Sequence, residues 1–105
     1  MGFNMQKLMK QAQKMQQDMA KVQEELRNTE VEGVSGGGMV KVVANGSSEI
    51  LSISIDPEII NPDDAEMLED MVLAAVKEAL TAAAALSAEK MGAITGGMGL
   101  PGGMF

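Results

Sequence analysis

The sequence predicts an α+β fold in which a helix, a three-stranded antiparallel meander and a second helix follow one another (α-β-β-β-α). Two segments carry apolar residues at alternating spacings of three and four, and between them lie three short runs rich in β-branched residues, separated by glycine-containing turns. We expect one domain at residues 1–91 and a flexible Gly/Met-rich tail at residues 92–105, where six of fourteen residues are glycine.

The first helix is predicted at residues 4–29. Its apolar residues form a narrow seam at heptad spacing, which is typical of a helix that packs against another helix rather than on a broad core. The seam consists of Met5, Leu8, Ala12, Met15, Met19, Val22 and Leu26.

The strands are predicted at about residues 30–35, 38–45 and 48–56. The three glycines before the second strand raise the alternative of a phosphate-binding loop, but such a loop leads from a strand into a helix. Here a strand follows the glycines, so a hairpin is favoured. A second tight turn is predicted at Asn45-Gly46, of type I′ with positive φ at Gly46.

These two turns predict a register for the whole sheet. Counting back from Asn45-Gly46 places Val42 opposite Glu49 and Val40 opposite Leu51. A Gly36-Gly37 turn places Val31 opposite Val42 and Glu32 opposite Lys41, where the opposite charges attract. The buried face would then carry Val40, Val42, Ala44, Leu51, Ile53 and Ile55.

The second helix is predicted at residues 62–91, with Asn61 as its N-cap, Pro62 in its first turn and Gly92 at its end. Its seam consists of Leu68, Val72, Ala75, Ala79, Ala82 and Leu86. An acidic cluster near its start lacks the ligand spacing of a calcium loop and complements the helix dipole, so we interpret it as a solvated helix start and expect no metal or cofactor. The cluster comprises Asp63, Asp64, Glu66, Glu69 and Asp70.

The lengths of these elements predict a shape. A 26-residue helix is about 39 Å long and overhangs a sheet of three strands spaced about 4.8 Å apart. The two apolar seams should therefore pair into an arm, and the remaining sheet face and edges should bind a second copy of the chain. We expect a homodimer.

The composition excludes several classes of function. His, Cys, Tyr and Trp are absent, which removes most side chains that act as acids, bases or nucleophiles near neutral pH, so we expect no enzyme and no small-molecule substrate. We find no signal peptide and no apolar run of about 20 residues, and therefore expect a soluble cytoplasmic protein with no membrane partner. The only aromatic residues, Phe3 and Phe105, cannot form a platform for stacking unpaired bases.

The charge is unevenly distributed along the chain. The net charge is −7, yet residues 1–29 hold five basic and three acidic residues, whereas residues 30–105 hold three basic and twelve acidic ones. Within the first helix Lys7, Lys14 and Lys21 share a heptad position, with Lys10 and Arg27 nearby. Such a line is either an ordinary solvated helix face or a surface that contacts DNA phosphates.

The chain resembles the YbaB/EbfC family of bacterial nucleoid-associated proteins. The resemblance rests on MQKLMKQAQKMQQDM in the first helix and on GGGMVKVVANG leading into EILSISIDPEII. It implies a tweezers-shaped homodimer with projecting helical arms that binds double-stranded DNA, associates with the nucleoid, and has roles in nucleoid organisation and gene expression. The DNA-contacting residues would be Lys7, Lys10, Lys14, Lys21 and Arg27. The alternative is a non-enzymatic module that holds protein partners through the Met-rich arms and the Gly/Met tail.

Overall fold

The structure, a computed structural model, describes residues 4–97. Helix α1 (Met5–Arg27) is followed by strands β1 (Glu30–Ser35), β2 (Val40–Asn45) and β3 (Ile50–Ile55) and by helix α2 (Ala65–Gly97). This order confirms the predicted α-β-β-β-α fold. The molecule measures 75 × 27 × 16 Å, because both helices extend beyond the sheet as their lengths require.

Side chains of asparagine and threonine define both ends of α1. The Asn4 side-chain oxygen accepts a hydrogen bond from the Lys7 backbone N–H at 3.2 Å, which satisfies one of the donors left free at a helix start. At the other end the Asn28 side-chain amide donates to the Glu24 carbonyl at 3.0 Å, and the Thr29 hydroxyl donates to a further carbonyl of the last turn. The chain then enters β1 directly.

Strands β1 and β2 pair in a register two residues away from the predicted one. Val31 lies opposite Ala44 and Ser35 opposite Val40. The prediction was wrong because the connection is longer than a two-residue turn: Gly36–Gly38 form a 3₁₀ turn with positive φ at each glycine. A shift of two residues leaves every side chain on its predicted face.

The predicted attraction between Glu32 and Lys41 is present, but across a diagonal of the sheet. Their carboxylate oxygen and ammonium nitrogen are 3.7 Å apart. Because both side chains are about half exposed, this pair adds little to stability.

Strands β2 and β3 pair four residues away from the predicted register, with Val42 opposite Ile53 and Val40 opposite Ile55. The turn is longer because the Asn45 side chain organises the five residues from Asn45 to Glu49. The left-handed conformation belongs to Ser48, at φ 63°, so the predicted positive φ at Gly46 was also wrong.

The β2–β3 ladder is irregular between Val43 and Ala44. Ile50 rather than Leu51 is therefore the partner of Ala44. Leu51, which the sequence placed on the buried face, is 49% exposed. The sequence offered no sign of this irregularity.

Helix α2 packs across β1 and β2, and the core lies between them. Its fully buried residues are Val40, Val42, Ala44, Ala75 and Ala79. Gly33 permits the close approach, because a Cβ atom there would collide with the backbone of α2 at Ala75 and Ala79. The Ser35 hydroxyl donates a hydrogen bond of 2.6 Å to the Met71 carbonyl and fixes the helix along the strand.

The start of α2 follows the prediction, whereas its end does not. Asn61 accepts a hydrogen bond from the Asp63 N–H at 3.0 Å, and Pro62 opens a short 3₁₀ turn that runs into the helix. Gly92 does not end α2, which continues to Gly97. Residues 98–105 lie outside the described residues, so the division into a domain and a flexible tail stays a prediction.

Helix α2 leaves strand β3 uncovered. Ile53 faces the same side of the sheet as the buried Val42 opposite it, yet is 46% exposed. On α2, Leu73 is 52% exposed. Leu73 lines an apolar hollow between β3 and α2, which Glu69 also lines, and Ile53 lies on the same face of β3 as Ile55 of that hollow. We call this surface the β3 trough, and it consists of Ile53, Ile55, Leu68, Val72, Leu73 and Val76.

The helical segment Pro62–Ile94 is long and apolar enough by length and composition to cross a membrane, with a mean hydropathy of 1.5 in its best window. The expectation that no segment reaches this threshold was therefore wrong. The face of this helix that carries Ala75, Ala79 and Ala83 is buried in the fold. A core helix of a soluble protein passes the same test; here 17% of the window is buried, along the face that packs on β1 and β2.

Candidate nucleic-acid interface

Helix α1 is anchored to the sheet at its C-terminal end. Leu26 is 3% exposed, and its carbonyl accepts a hydrogen bond of 2.8 Å from the Gly46 N–H. The same N–H also reaches the Thr29 carbonyl at 3.0 Å, and the Asn45 side-chain amide donates to the Arg27 carbonyl at 3.2 Å. The β2–β3 turn therefore holds the base of α1, and the rest of the helix projects away from the sheet.

A groove separates α1 from the C-terminal part of α2, where the two helices run antiparallel. At its base the Lys90 ammonium lies 3.3 Å from the Glu25 carboxylate. Farther along, Ala93 and Ile94 of α2 face the side of α1 that carries Met15 and Val22. The two helices thus lie together along the second half of α1, but the predicted pairing of the two seams was wrong: on α2 it is Lys90, Ala93 and Ile94 that line the groove, whereas Ala75 and Ala79 of the predicted seam are buried against the sheet.

All five basic residues predicted to contact DNA are exposed. Lys14 and Lys21 line the groove between the helices, whereas Lys7, Lys10 and Arg27 do not. The structure therefore brings two of the five together in one concave surface.

Sequence reasoning missed three charged residues of this groove, Asp18, Glu25 and Lys90. The two acidic residues alternate with Lys14 and Lys21 at spacings of three and four, a pattern that places all four on one side of a helix. That signal was readable in the sequence. Lys90 is 65 residues from its partner Glu25, and no local pattern connects them.

The basic and acidic surfaces lie at opposite ends of the sheet. Strand β3 begins at the Asn45 turn, where α1 is anchored, and ends beside Val40 at the other end. The acidic start of α2 follows from that far end. The first half of α1, residues 4–17, carries three lysines and no acidic residue. A polyanion therefore meets the least repulsion along α1.

The first half of α1 also carries exposed apolar side chains. Met5 is 61% exposed, Leu8 is 47% exposed and Met9 is 60% exposed, whereas the seam becomes half-buried from Met15 onwards. We call Met5, Leu8, Met9 and Ala12 the tip patch. At about 100° per residue, Lys7, Lys10 and Lys14 lie on the opposite face of the helix.

Within residues 4–97, no group of three or more His, Cys, Asp or Glu side chains is arranged to hold a metal ion. The acidic cluster at the start of α2 is exposed. Asp63 and Asp64 lie in the first turn of the segment that leads into α2. The Asp64 side-chain oxygen accepts a hydrogen bond from the Met67 backbone N–H at 3.3 Å.

Comparison with known proteins decides what kind of protein this is. The model of a family described as the YbaB/EbfC DNA-binding family matches residues 1–98. The chain belongs to the YbaB/EbfC family.

The relatives agree with this assignment. The chain is 59% identical over 102 residues to a nucleoid-associated protein of Pelotomaculum thermopropionicum, covering 97% of each chain. It is 55% identical over 101 residues to a nucleoid-associated protein of Caldanaerobacter subterraneus subsp. tengcongensis, covering 96% of this chain and 91% of the relative. The YbaB/EbfC family is thus a bacterial, nucleoid-associated, DNA-binding family and not an enzyme family.

A solved structure supports the fold. The structure of an uncharacterized protein from Helicobacter pylori superimposes with a TM-score of 0.73 at 23% identity, covering 91% of this chain and 97% of the other. The helix–sheet–helix arrangement is therefore shared with a solved structure.

Proposed function

We propose that this protein binds double-stranded DNA as a homodimer in the bacterial cytoplasm, where it associates with the nucleoid and contributes to nucleoid organisation and gene expression. One observation carries the proposal: a DNA-binding family spans residues 1–98, and within them the helix that projects from the acidic body bears the basic residues. No aromatic platform for single strands accompanies them in the described residues, which favours duplex DNA.

The lysines of α1 would contact phosphates. Lys7 and Lys10 lie exposed on the free part of the helix, Lys14 and Lys21 line the groove with α2, and Arg27 extends the basic surface toward the sheet. Ammonium groups on flexible stems bind phosphates as point charges, so such contacts carry little sequence information. Because Asp18 and Glu25 lie among the groove lysines, the contribution of Lys21 should be smaller than that of Lys7 or Lys10.

Substitution of the lysines tests this proposal. The triple variant K7Q/K10Q/K14Q keeps helix propensity nearly unchanged, so it should melt like the wild type. It should bind duplex DNA more weakly and with a shallower salt dependence, by about 0.9 in the logarithmic slope for each phosphate that the variant no longer neutralises. Gel shift across a salt series measures both quantities.

The matched control is K41Q/K77Q, which neutralises two cations outside α1 and its groove, and it is compared with the double variant K7Q/K10Q. Equal affinity and equal salt slope for the first variant and the wild type would show that the lysine face is only solvated. An equal loss of affinity in the two double variants would show that net charge, not position, sets the affinity.

The β3 trough supports the homodimer. Within the described residues β3 pairs only with β2, so its outer edge presents free backbone N–H and C=O groups next to exposed Ile53 and Leu73. A second copy related by a two-fold axis would pair with this edge and cover each trough with the Leu73 of the other copy. Sedimentation equilibrium at micromolar concentration measures the state directly, and a particle of 11.0 kDa would contradict the homodimer.

A further inference from the structure

Within residues 4–97, the tip patch is the most exposed part of the α1 seam. Along α1 the exposure of the seam rises from buried Leu26 through half-buried Met19 and Met15 to Met5, which is 61% exposed. The groove that α1 shares with α2 begins at Gln11. Within the described residues, no α2 residue lines a groove beside residues 4–10 of α1. Exposed apolar residues that continue an otherwise buried seam mark a contact surface.

The geometry of the patch indicates the kind of partner. Met5, Leu8 and Ala12 continue the spacings of three and four of the α1 seam, of which Met15 and Val22 line the groove with α2, and a seam this narrow packs against one helix. Lys7, Lys10 and Lys14 lie on the opposite face. A helix packed on the patch would therefore leave the lysines of α1 exposed. If the partner helix is a second copy of α1, its own lysines also lie on the outer side of the pair, away from its apolar face.

We propose that the tip patch binds the tip patch of a second copy of this chain, so that two α1 helices pair by their apolar faces and present lysine faces on both outer sides. The inference rests on the proposed DNA binding. Such a pair would connect copies bound along one duplex or on two neighbouring duplexes. The contact joins molecules through α1, whereas the homodimer contact proposed above uses the β3 trough.

The size of the patch determines when the contact forms. Four side chains per helix bury far less than the 1,200 to 2,000 Å² that roughly delimits stable interfaces. The contact is therefore weak between free molecules. DNA raises the local concentration of bound copies and neutralises their lysines, so pairing occurs on DNA.

A single cysteine tests the contact, because the chain contains no Cys and one introduced thiol reports one position. In L8C the thiol replaces an exposed side chain of the tip patch. The matched control is Q6C, two residues away and about 200° around the helix. Each variant is treated with a short bismaleimide in the absence of DNA, with a short duplex that accommodates one molecule, and with a long duplex.

We expect L8C to form covalently linked pairs of chains on the long duplex at several times the yield of Q6C, and at low yield without DNA. Equal yields from the two variants on the long duplex would overturn the proposal. Faster maleimide modification of L8C after deletion of residues 98–105, in free protein, would also overturn it, since the C-terminal segment would then occupy the patch.

A second variant separates this contact from DNA binding itself. In M5Q/L8Q/M9Q the lysines and the helix propensity remain, so affinity for the short duplex should equal that of the wild type. On the long duplex the variant should lose cooperativity and bind roughly threefold or more weakly. Unchanged cooperativity would contradict the tip contact while leaving DNA binding intact, whereas failure of the wild type to bind the short duplex would contradict the proposed function.

Discussion

Asn45 connects three parts of the structure through one side chain. It is 3% exposed, and its oxygen accepts from the N–H groups of Ser47 at 3.0 Å and Glu49 at 3.1 Å. Its amide donates to the Glu49 carboxylate at 2.7 Å and to the Arg27 carbonyl. The turn and the base of α1 therefore depend on the same buried amide group.

Replacement of this residue should be costly. N45A removes four hydrogen bonds and leaves partly buried backbone groups without partners, so we expect the free energy of unfolding to fall by roughly 2–4 kcal/mol. Chemical denaturation measures the change. The control is S47A in the exposed part of the same turn, which should stay within about 0.5 kcal/mol of the wild type. Similar changes in the free energy of unfolding for N45A and S47A would show that the hydrogen bonds of Asn45 contribute no more stability than an exposed side chain of the same turn.

Gly46 is required for a steric reason rather than for its conformation. A Cβ atom there would lie 2.6 Å from Cδ2 of Leu26 and 3.0 Å from its carbonyl oxygen. Gly46→Val should therefore push α1 off the turn and lower stability by about 1–3 kcal/mol, with Gly46→Ala falling between it and the wild type. Thermal melting gives the order of the three proteins, and wild-type melting of the valine variant would contradict the close contact.

At the scale of the elements, the course of α2 past Gly92 has a direct test. A Cβ atom at this glycine would meet no atom within 4 Å, and the residue lies inside a helix. Gly92→Ala should raise the free energy of unfolding by about 0.5–1 kcal/mol, since alanine restricts the unfolded chain and favours helix. Destabilisation measured by the same melting experiment would instead indicate that the helix ends here in a left-handed glycine.

The order and faces of the elements were predictable because they depend on local periodicity. The seams of α1 and α2, and the alternation of Val40, Val42 and Ala44, are visible in the sequence and survive a register shift of two or four residues. The registers were not predictable, because a buried side chain of Asn45 and a three-glycine 3₁₀ turn set the loop lengths.

The candidate site was predictable to a smaller extent. The exposed lysines follow from helix spacing, whereas their proximity to Lys90 depends on how α2 lies against α1. That arrangement is fixed by long-range packing at Gly33, which no local pattern encodes.

For the molecule as a whole, the position of the second copy can be tested with charge. Leu73→Glu places a second carboxylate near Glu69 in the β3 trough, and we expect a monomer because burying an unpaired charge beside a like charge costs several kcal/mol. Met67→Glu adds the same charge to the same helix at a residue that is 40% exposed and lies outside the trough, and should stay dimeric. Sedimentation equilibrium distinguishes the two, and a dimeric Leu73→Glu protein would show that the copies meet elsewhere.

The attachment of α1 at one end makes the helix a lever. Its 23 residues span about 35 Å, so a rotation of about 10° at the Asn45 turn displaces the far end by roughly 6 Å. A displacement of that size is comparable to the spacing of successive phosphates along one DNA strand. Small elastic movements about this pivot would thus let a rigid arm follow duplexes of different local width and curvature, with the cost set by the turn and by the contacts of α1 with α2 rather than by bending of the helix.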